Sequence, residues 1–469
     1  MGLTLTLTCI CVAFRERGSE ERSRKLKKKR MEKKDMIGNM PNDIIWNILS
    51  RLKFKEAVRT SVLSTKWRYQ WTYFTGVLDF DPSLRTYLLR RKRVGLLKKC
   101  MVFVSEWEKS MVNLEKMLKL MKSPTMQGLR ICMELGNPLK IDEWVKFGVK
   151  KDVKMFELDL SYNFTETFYE ISQTIRNVLS STTIFEMKSL CILRLVSVDV
   201  SDEVIEGILA CCPSLQTLCV IESKLLVRVK VCGQGLRLKH LELVECRFLT
   251  NLDISAENLM TFKYIGDYER FNYESVPSLV EASFGGLYSS YLQSRMNTVD
   301  LYELLLQLDV LKLELLPIDF GTVEALPLIS NVKQLEMQIL HGCGAKLDRP
   351  VSLLSAFPSI CVLKLKFIRY SVKPAEEQWK ANLKDECPNL RELEVSGFRR
   401  DPSQIELVMS ICEKAPNLNR IVVDPLSSYH AHRSPNVKAR IREMRRDFTI
   451  WFADCLKPYL PPPIELIIL

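Results

Sequence analysis

Leu215-Gln216-Thr217-Leu218-Cys219-Val220 and Leu238-Lys239-His240-Leu241-Glu242-Leu243 share one pattern, apolar-x-x-apolar-x-apolar, with starts 23 residues apart. The pattern recurs outward from this pair, upstream at 155–160 and 190–195, and downstream at 249–254, 259–264, 279–284, 308–313, 332–337, 360–365, 390–395 and 418–423. Most starts are 20–35 residues apart; near 238–259 two steps are much shorter. Side chains alternate along a strand, so the last two apolar positions of each unit point to one side. Stacking those pairs from unit to unit builds one continuous core. Helical stretches fit between the strands, as at 202–211 before Pro213-Ser214-Leu215 and at 402–414 before Pro416-Asn417-Leu418. Where the step is short, extra strands or tight turns must replace the helix.

A period of this length with this spacing is the signature of leucine-rich repeats. The predicted fold class is α/β, an irregular solenoid of strand–helix repeats. Leu129-Arg130-Ile131-Cys132-Met133-Glu134-Leu135 is its first predicted strand. Val/Ile/Leu runs also occur in doubly wound sheets, but no Gly-rich phosphate loop follows any strand. Gly342-Cys343-Gly344 has no third glycine at the needed spacing and reads as a turn.

The chain has 469 residues, 47% of them hydrophobic and 26% charged, enough for a sizeable core. The net charge of +12 is unevenly placed: residues 1–34 alone carry eleven basic and four acidic side chains, leaving +5 for the rest. The body is therefore not the basic surface that nucleic-acid binding needs. The fifteen Cys form no Cys-x-x-Cys pair and fit a reducing compartment. Four His, and the absence of Walker, His-Glu-x-x-His and Gly-x-Ser-x-Gly motifs, give no support to catalysis, and no cofactor or metal is expected.

The first 34 residues read as a disordered basic leader. Met1-Gly2 with Thr6 matches the myristoylation pattern by letter, but no stable membrane insertion is expected. Arg22 to Lys34 is a Lys/Arg block of the kind that directs proteins to the nucleus, so the expected location is nucleus and/or cytoplasm.

Composition changes at Asp35. Pro41 suits the first turn of a helix, and Ile44, Ile45, Ile48, Leu49 and Leu52 then fall at helical spacing. Residues 55–62 read as a second short helix, and Ser64 as the cap of a third that carries Trp67 and Trp71. Some forty residues cannot bury this much apolar surface alone, which implies a partner or a neighbouring domain.

At these positions the sequence resembles the F-box motif in its plant form: Met40-Pro41, Ile48-Leu49-Ser50-Arg51-Leu52, Glu56, Val62-Leu63-Ser64-Thr65-Lys66-Trp67-Arg68, Trp71 and Asp79-Phe80-Asp81. Met40 replaces the usual Leu, and Lys53 stands where Pro is common. An F-box ahead of irregular repeats resembles the plant F-box/leucine-rich-repeat family. The stretch 385–426, with Cys387-Pro388-Asn389-Leu390 and Ala415-Pro416-Asn417-Leu418, looks like the FBD module found after such repeats, and reads equally as two more repeats. The implied organisation is leader 1–34, F-box 35–81, helical connector 82–128, repeats 129–384, FBD-like segment 385–426 and tail 427–469.

The resemblance implies a non-catalytic substrate receptor of a Skp–cullin–F-box ubiquitin ligase. It would bind a Skp-family adaptor and, through it, a cullin, and would hold an unknown protein substrate for ubiquitination and degradation. The alternative is a repeat scaffold not assembled into a ligase. The implied adaptor contacts are Met40, Pro41, Ile44, Ile45, Ile48, Leu52, Leu63 and Trp67, with Ser64, Lys66 and Arg68 at the rim. For the substrate, the residue between the last two apolar positions of each repeat should face the open concave sheet. That rule selects Asp159, Arg194, Cys219, Glu242, Lys312, Glu336, Lys364 and Glu394, mostly charged and mixed in sign. Reversing Arg194, Lys312 and Lys364 is expected to lower substrate capture and leave folding intact.

Overall fold

The computed structural model describes residues 37–81, 112–132, 138–161, 182–233, 235–267, 270–295, 299–315, 327–341, 353–369, 386–397, 402–424 and 464–469, with isolated positions at 109, 179 and between 439 and 460. The leader, Gly342-Cys343-Gly344 and residues 82–108 of the connector lie outside the described residues.

Alternating apolar residues make strands throughout. In chain order these are β1 (Val77–Phe80), β2 (Gly128–Cys132), β3 (Met155–Asp159), β4 (Ile192–Val196), β5 (Thr217–Ile221), β6 (Arg228–Cys232), β7 (His240–Val244), β8 (Asn251–Ser255) and β9 (Thr261–Ile265). They continue as β10 (Arg270–Ser275), β11 (Glu281–Gly285), β12 (Val310–Leu315), β13 (Gln334–His341), β14 (Val362–Arg369), β15 (Glu392–Ser396), β16 (Arg420–Asp424) and β17 (Glu465–Ile468). Fourteen of them form one sheet in the order β1-β2-β3-β4-β5-β7-β9-β11-β12-β13-β14-β15-β16-β17. Every recorded pairing in it is parallel, as expected when each strand returns by a crossover. Leu129, Phe156, Leu193, Leu218 and Leu241 lie in register on its inner side, each almost wholly buried.

The short repeat steps have a simple cause. β6, β8 and β10 form a second parallel sheet of three strands, ordered β10-β8-β6. In these repeats a strand replaces the helix on the outer side. The 249–254 unit therefore builds the second sheet, not the main one. Elsewhere the described outer elements are helical: α3 (Pro138–Lys150), a 3-10 turn at Thr182–Glu186, α4 (Asp202–Cys211), α5 (Leu287–Arg295), α6 (Val299–Leu306) and α7 (Pro402–Lys414), after α1 (Asn42–Ser50) and α2 (Phe54–Arg59) of the N-terminal module. Asp202 and Glu203 in the first turn of α4 suit its dipole.

Asparagines tie successive repeats together. Asn258 Nδ2 donates to the Leu236 carbonyl (2.8 Å), Asn389 to that of Pro358 (3.0 Å) and Asn417 to that of Pro388 (2.7 Å), and Asn331 makes the same bond to Leu306. The FBD-like stretch thus supplies two ordinary repeat units, β15 and then α7–β16, in the same sheet. Of residues 427–469, β17 returns to pair with β16, and Leu456 is buried in the common core.

At the other end, the solenoid begins earlier than residue 129. β1, inside the 35–81 module, is already the first strand and pairs with β2. Backbone bonds Lys122 N to Thr72 O and Gln127 N to Thr75 O (both 2.7 Å) continue the join. Lys151, itself buried, donates Nζ to the carbonyls of Met121 (3.1 Å) and Ser123 (2.5 Å).

One glycine closes a repeat where nothing larger fits. Gly397, after β15, has φ of +71°, and a Cβ there would overlap the Phe367 carbonyl oxygen. Left-handed backbone disfavours any side chain, and a carbonyl cannot rotate away as a side chain can. Gly397→Ala is expected to cost about 2 kcal/mol or more. A drop in melting temperature with faster amide exchange in β14 and β15 would register it; an unchanged melt would show that the turn can relax.

Candidate functional site

The N-terminal module has two sides. Packing of α1 divides its apolar residues: Ile45 and Leu49 are fully buried, while Ile44 is 46% and Ile48 37% exposed. After α2 the chain makes a 3-10 turn at Thr60–Val62, leaving Val62 74% and Leu63 52% exposed. Pro41 precedes α1 and is exposed. Ser64 Oγ accepts the Trp67 N–H (3.3 Å), as its capping role requires. The element that follows, Trp67–Tyr73, is a 3-10 helix rather than an α-helix.

Two expected adaptor contacts are corrected. Ile45 is the inner face of α1, and Trp67 is buried with its indole N–H donated to the Ile37 carbonyl (3.0 Å). Both hold the module together and cannot present a surface. Met40 and Leu52 are half-buried against the core, and Ser64 and Arg68 are half-buried. Sequence reasoning missed Val62, Ile37 and Tyr69, which are among the exposed large apolar residues. Val62 was within reach, since it adjoins Leu63 in the quoted motif. Lys53, the departure from the usual Pro, donates its backbone N–H to Glu56 Oε2 (3.2 Å) and so caps α2, a bond proline could not make.

The concave face of the main sheet is the second candidate surface. Its central row runs, in register, Asp79, Arg130, Glu157, Arg194, Cys219, Glu242, Lys263, Ser283, Lys312, Glu336, Lys364 and Glu394. Arg194, Glu242, Lys312, Glu336, Lys364 and Glu394 thus share one row. Asp159 does not: it lies one side chain further along, across from Val196, and is buried with its carboxylate bonded to Ser161. Phe156 and Leu158 are the inward pair of that repeat, so Glu157 holds the row position. Lys263 was within reach of the same rule, since the repeat at 259–264 places it between Phe262 and Tyr264.

These charges satisfy one another. Arg130 reaches Asp79 (2.8 Å) and Glu157 (3.2 Å); Arg194 reaches Glu242 (3.0 Å) across Cys219; Lys263 also reaches Glu242 (2.6 Å). Further on, Lys312 meets Glu281, Lys364 meets Glu394 and Lys366 meets Glu336, each at 2.5 Å. Most of these side chains are less than one-third exposed. Burial alone would raise the Glu242 carboxyl, but Lys263 and Arg194 together hold it down to about 2. For Glu157 burial wins and the carboxyl lies above its ordinary range, despite Arg130 and Arg194. The row is therefore a self-neutralised ladder. The expectation that reversing Arg194, Lys312 and Lys364 would spare folding is corrected, because each reversal sets like charges against each other in a half-buried site.

Four buried cysteines do not resemble nucleophiles. Burial pushes the Cys219 thiol up to about 12 and those of Cys212, Cys246 and Cys412 up to about 11, so they stay protonated at neutral pH. Among the described residues no group of three or more His, Cys, Asp or Glu could hold a metal ion, and no helix is long and apolar enough to cross a membrane.

Comparison with known proteins agrees with this architecture. The family model for the At1g61320/AtMIF1 LRR domain matches residues 116–449, and that for the F-box domain matches residues 37–75. The F-box/FBD/LRR-repeat protein At1g13570 of Arabidopsis thaliana is 28% identical over 271 residues, which is 54% of each chain. The F-box protein At3g03040 of the same plant is 26% identical over 390 residues, 78% of this chain and 76% of its own. An F-box whose last strand opens a parallel solenoid, matched by these models over most of its length, makes this chain a member of the At1g61320/AtMIF1 leucine-rich-repeat family with an N-terminal F-box.

Proposed function

We propose that this chain is the substrate-receptor subunit of a Skp–cullin–F-box ubiquitin ligase. The observation that carries this reading is the outward apolar face of the F-box. Pro41, Ile44, Ile48, Val62 and Leu63 remain exposed, while Ile45 and Leu49, next to Ile44 and Ile48, are fully buried. A face of this kind costs solubility unless something covers it. A Skp-family adaptor would cover it and bring the cullin. The solenoid would then hold a protein target, and the chain would act by proximity, raising the target's effective concentration at the ubiquitin donor. No catalytic group of its own is needed. The Lys/Arg block at 22–34 suits work in the nucleus or cytoplasm.

Each of Pro41 and Ile44 should contribute about 1.5–3 kcal/mol on burial. The double variant Pro41→Ala/Ile44→Ala in the full chain should therefore bind a purified Skp-family adaptor roughly a hundredfold more weakly. Wild-type affinity in a folded double variant, or no adaptor binding by the native chain, would favour a scaffold that is not part of a ligase.

A further inference from the structure

The two halves of the outward apolar face come from separate elements of the module. Pro41, Ile44 and Ile48 belong to the start and outer side of α1; Val62 and Leu63 belong to the turn after α2. Apolar packing between α1 and the Trp67–Tyr73 helix is non-directional, so by itself it tolerates a helix that slides or rotates. The segment that fixes α1 is polar. Lys66 Nζ donates to the Met40 carbonyl (2.6 Å), immediately before Pro41. Gln70 Oε1 accepts the Trp46 indole N–H (2.7 Å), while its Nε2 donates to Asn42 Oδ1 (3.4 Å) and to the Lys66 carbonyl (3.2 Å). Trp46 in turn stacks on Tyr73, with ring centroids 4.8 Å apart. Lys66 and Gln70, one helical turn apart, therefore grip the beginning and the middle of α1, and the Gln70–Lys66 bond joins the two grips.

We propose that Lys66 and Gln70 are positioning residues for the adaptor face. They set the height and rotation of α1 against the turn that carries Val62 and Leu63, so that both halves meet an adaptor as one preformed surface. Preorganisation of this kind lowers the ordering cost of association and leaves the area of contact unchanged. The lysine bond is charge-assisted and directional. Arginine can replace it in donating to a carbonyl; methionine of similar length cannot. This inference rests on the adaptor reading above and goes beyond the rim position expected of Lys66, since Gln70 is assigned the same task with no charge to offer.

The test uses the full chain and a purified Skp-family adaptor, with affinity and amide exchange measured on the same samples. Lys66→Met and Gln70→Leu should each weaken binding about tenfold. Lys66→Arg should stay within about threefold of wild type. The double variant should be little worse than either single one, because both act on one placement of α1. Exchange in the solenoid strands should not change, and Lys55→Met, which removes an exposed charge from α2, should bind normally. Unaltered affinity in Lys66→Met and Gln70→Leu would overturn the proposal. So would additive losses, which mark two independent contacts, or losses that follow general unfolding of the module and are shared by Lys66→Arg. Pro41→Ala/Ile44→Ala in the same assay separates the two readings: normal binding by it rejects the adaptor face itself, whereas its loss beside intact Lys66→Met and Gln70→Leu rejects only the positioning role.

Discussion

Glu242→Ala should destabilise the solenoid by roughly 2–4 kcal/mol, the largest stability effect expected of a single charge on the concave face. Removing one partner from a buried ion pair costs about 3–5 kcal/mol because the other charge is left without compensation. Here two cations, Arg194 and Lys263, lose their shared partner, while Arg194 keeps a longer contact to Glu157 (3.8 Å). The site is partly open to solvent, which scales the figure down. The effect should concentrate in the strands that Glu242 bridges, β4, β7 and β9, as faster amide exchange. Lys333→Ala is the contrast. Its bond to Asp309 is also short (2.7 Å), but both side chains are half or more exposed, and its loss should leave stability close to wild type. Equal effects from the two substitutions would mean that burial does not strengthen the ladder.

The same carboxylate predicts a pH dependence. Glu242 is held at about 2 against an ordinary value of 4.5, so the folded state keeps it ionised where the unfolded chain takes up a proton. Its contribution is complete above about pH 5 and is lost as pH falls from 4.5 towards 2. Glu242→Gln resembles the protonated side chain. Wild type and Glu242→Gln should therefore differ most near neutrality, by about 3 kcal/mol, and converge in acid. Glu157, Glu245 and Glu314 lie above the ordinary range through burial and act with the opposite sign, gaining stability on mild acidification. The comparison must therefore be the difference between the two proteins at each pH and not either curve alone.

The repeat was legible because periodicity of apolar residues is a local property. Leu218 and Leu241 announce strands whatever their neighbours do, and the short steps near 238–259 already require something other than helices there. What was hidden is pairwise. Arg194, Glu242 and Lys364 read as independent exposed charges because nothing in a sequence says that Glu242 sits two strands from Arg194 and one from Lys263. Asp159 was misplaced for a related reason: with Met155, Phe156, Leu158 and Leu160 all apolar, two pairs fit the alternation, and only strand register selects Phe156 and Leu158. The segment 427–469 was set apart because the sequence around β17 shows no repeat unit of the usual pattern, although β16 pairs with it. In the F-box, helical spacing identified the apolar stripe of α1 but could not divide it, since the dividing partner, the Trp67–Tyr73 helix, comes from elsewhere in the chain.

That division leads to the largest effect expected on binding. Val62→Asp and Leu63→Asp place a carboxylate on the outward face, at positions that are 74% and 52% exposed in the free chain. The folded state should tolerate either substitution, with stability changing by about 0.5 kcal/mol or less, as for surface positions generally. Docking would have to strip water from the new charge with no cation to receive it, a penalty of several kcal/mol, and adaptor affinity should fall more than a hundredfold. Ile45→Ala, next to exposed Ile44, should behave in the reverse way. It opens a cavity in a small core at a cost of about 2–5 kcal/mol, yet removes no group from the face. Its adaptor affinity, corrected for the folded fraction, should stay near wild type. Thermal melts paired with adaptor titration distinguish the two classes. If Ile45→Ala lost affinity while melting normally, α1 would have to turn on binding, and the outward residues would not be the preformed surface described for the free chain.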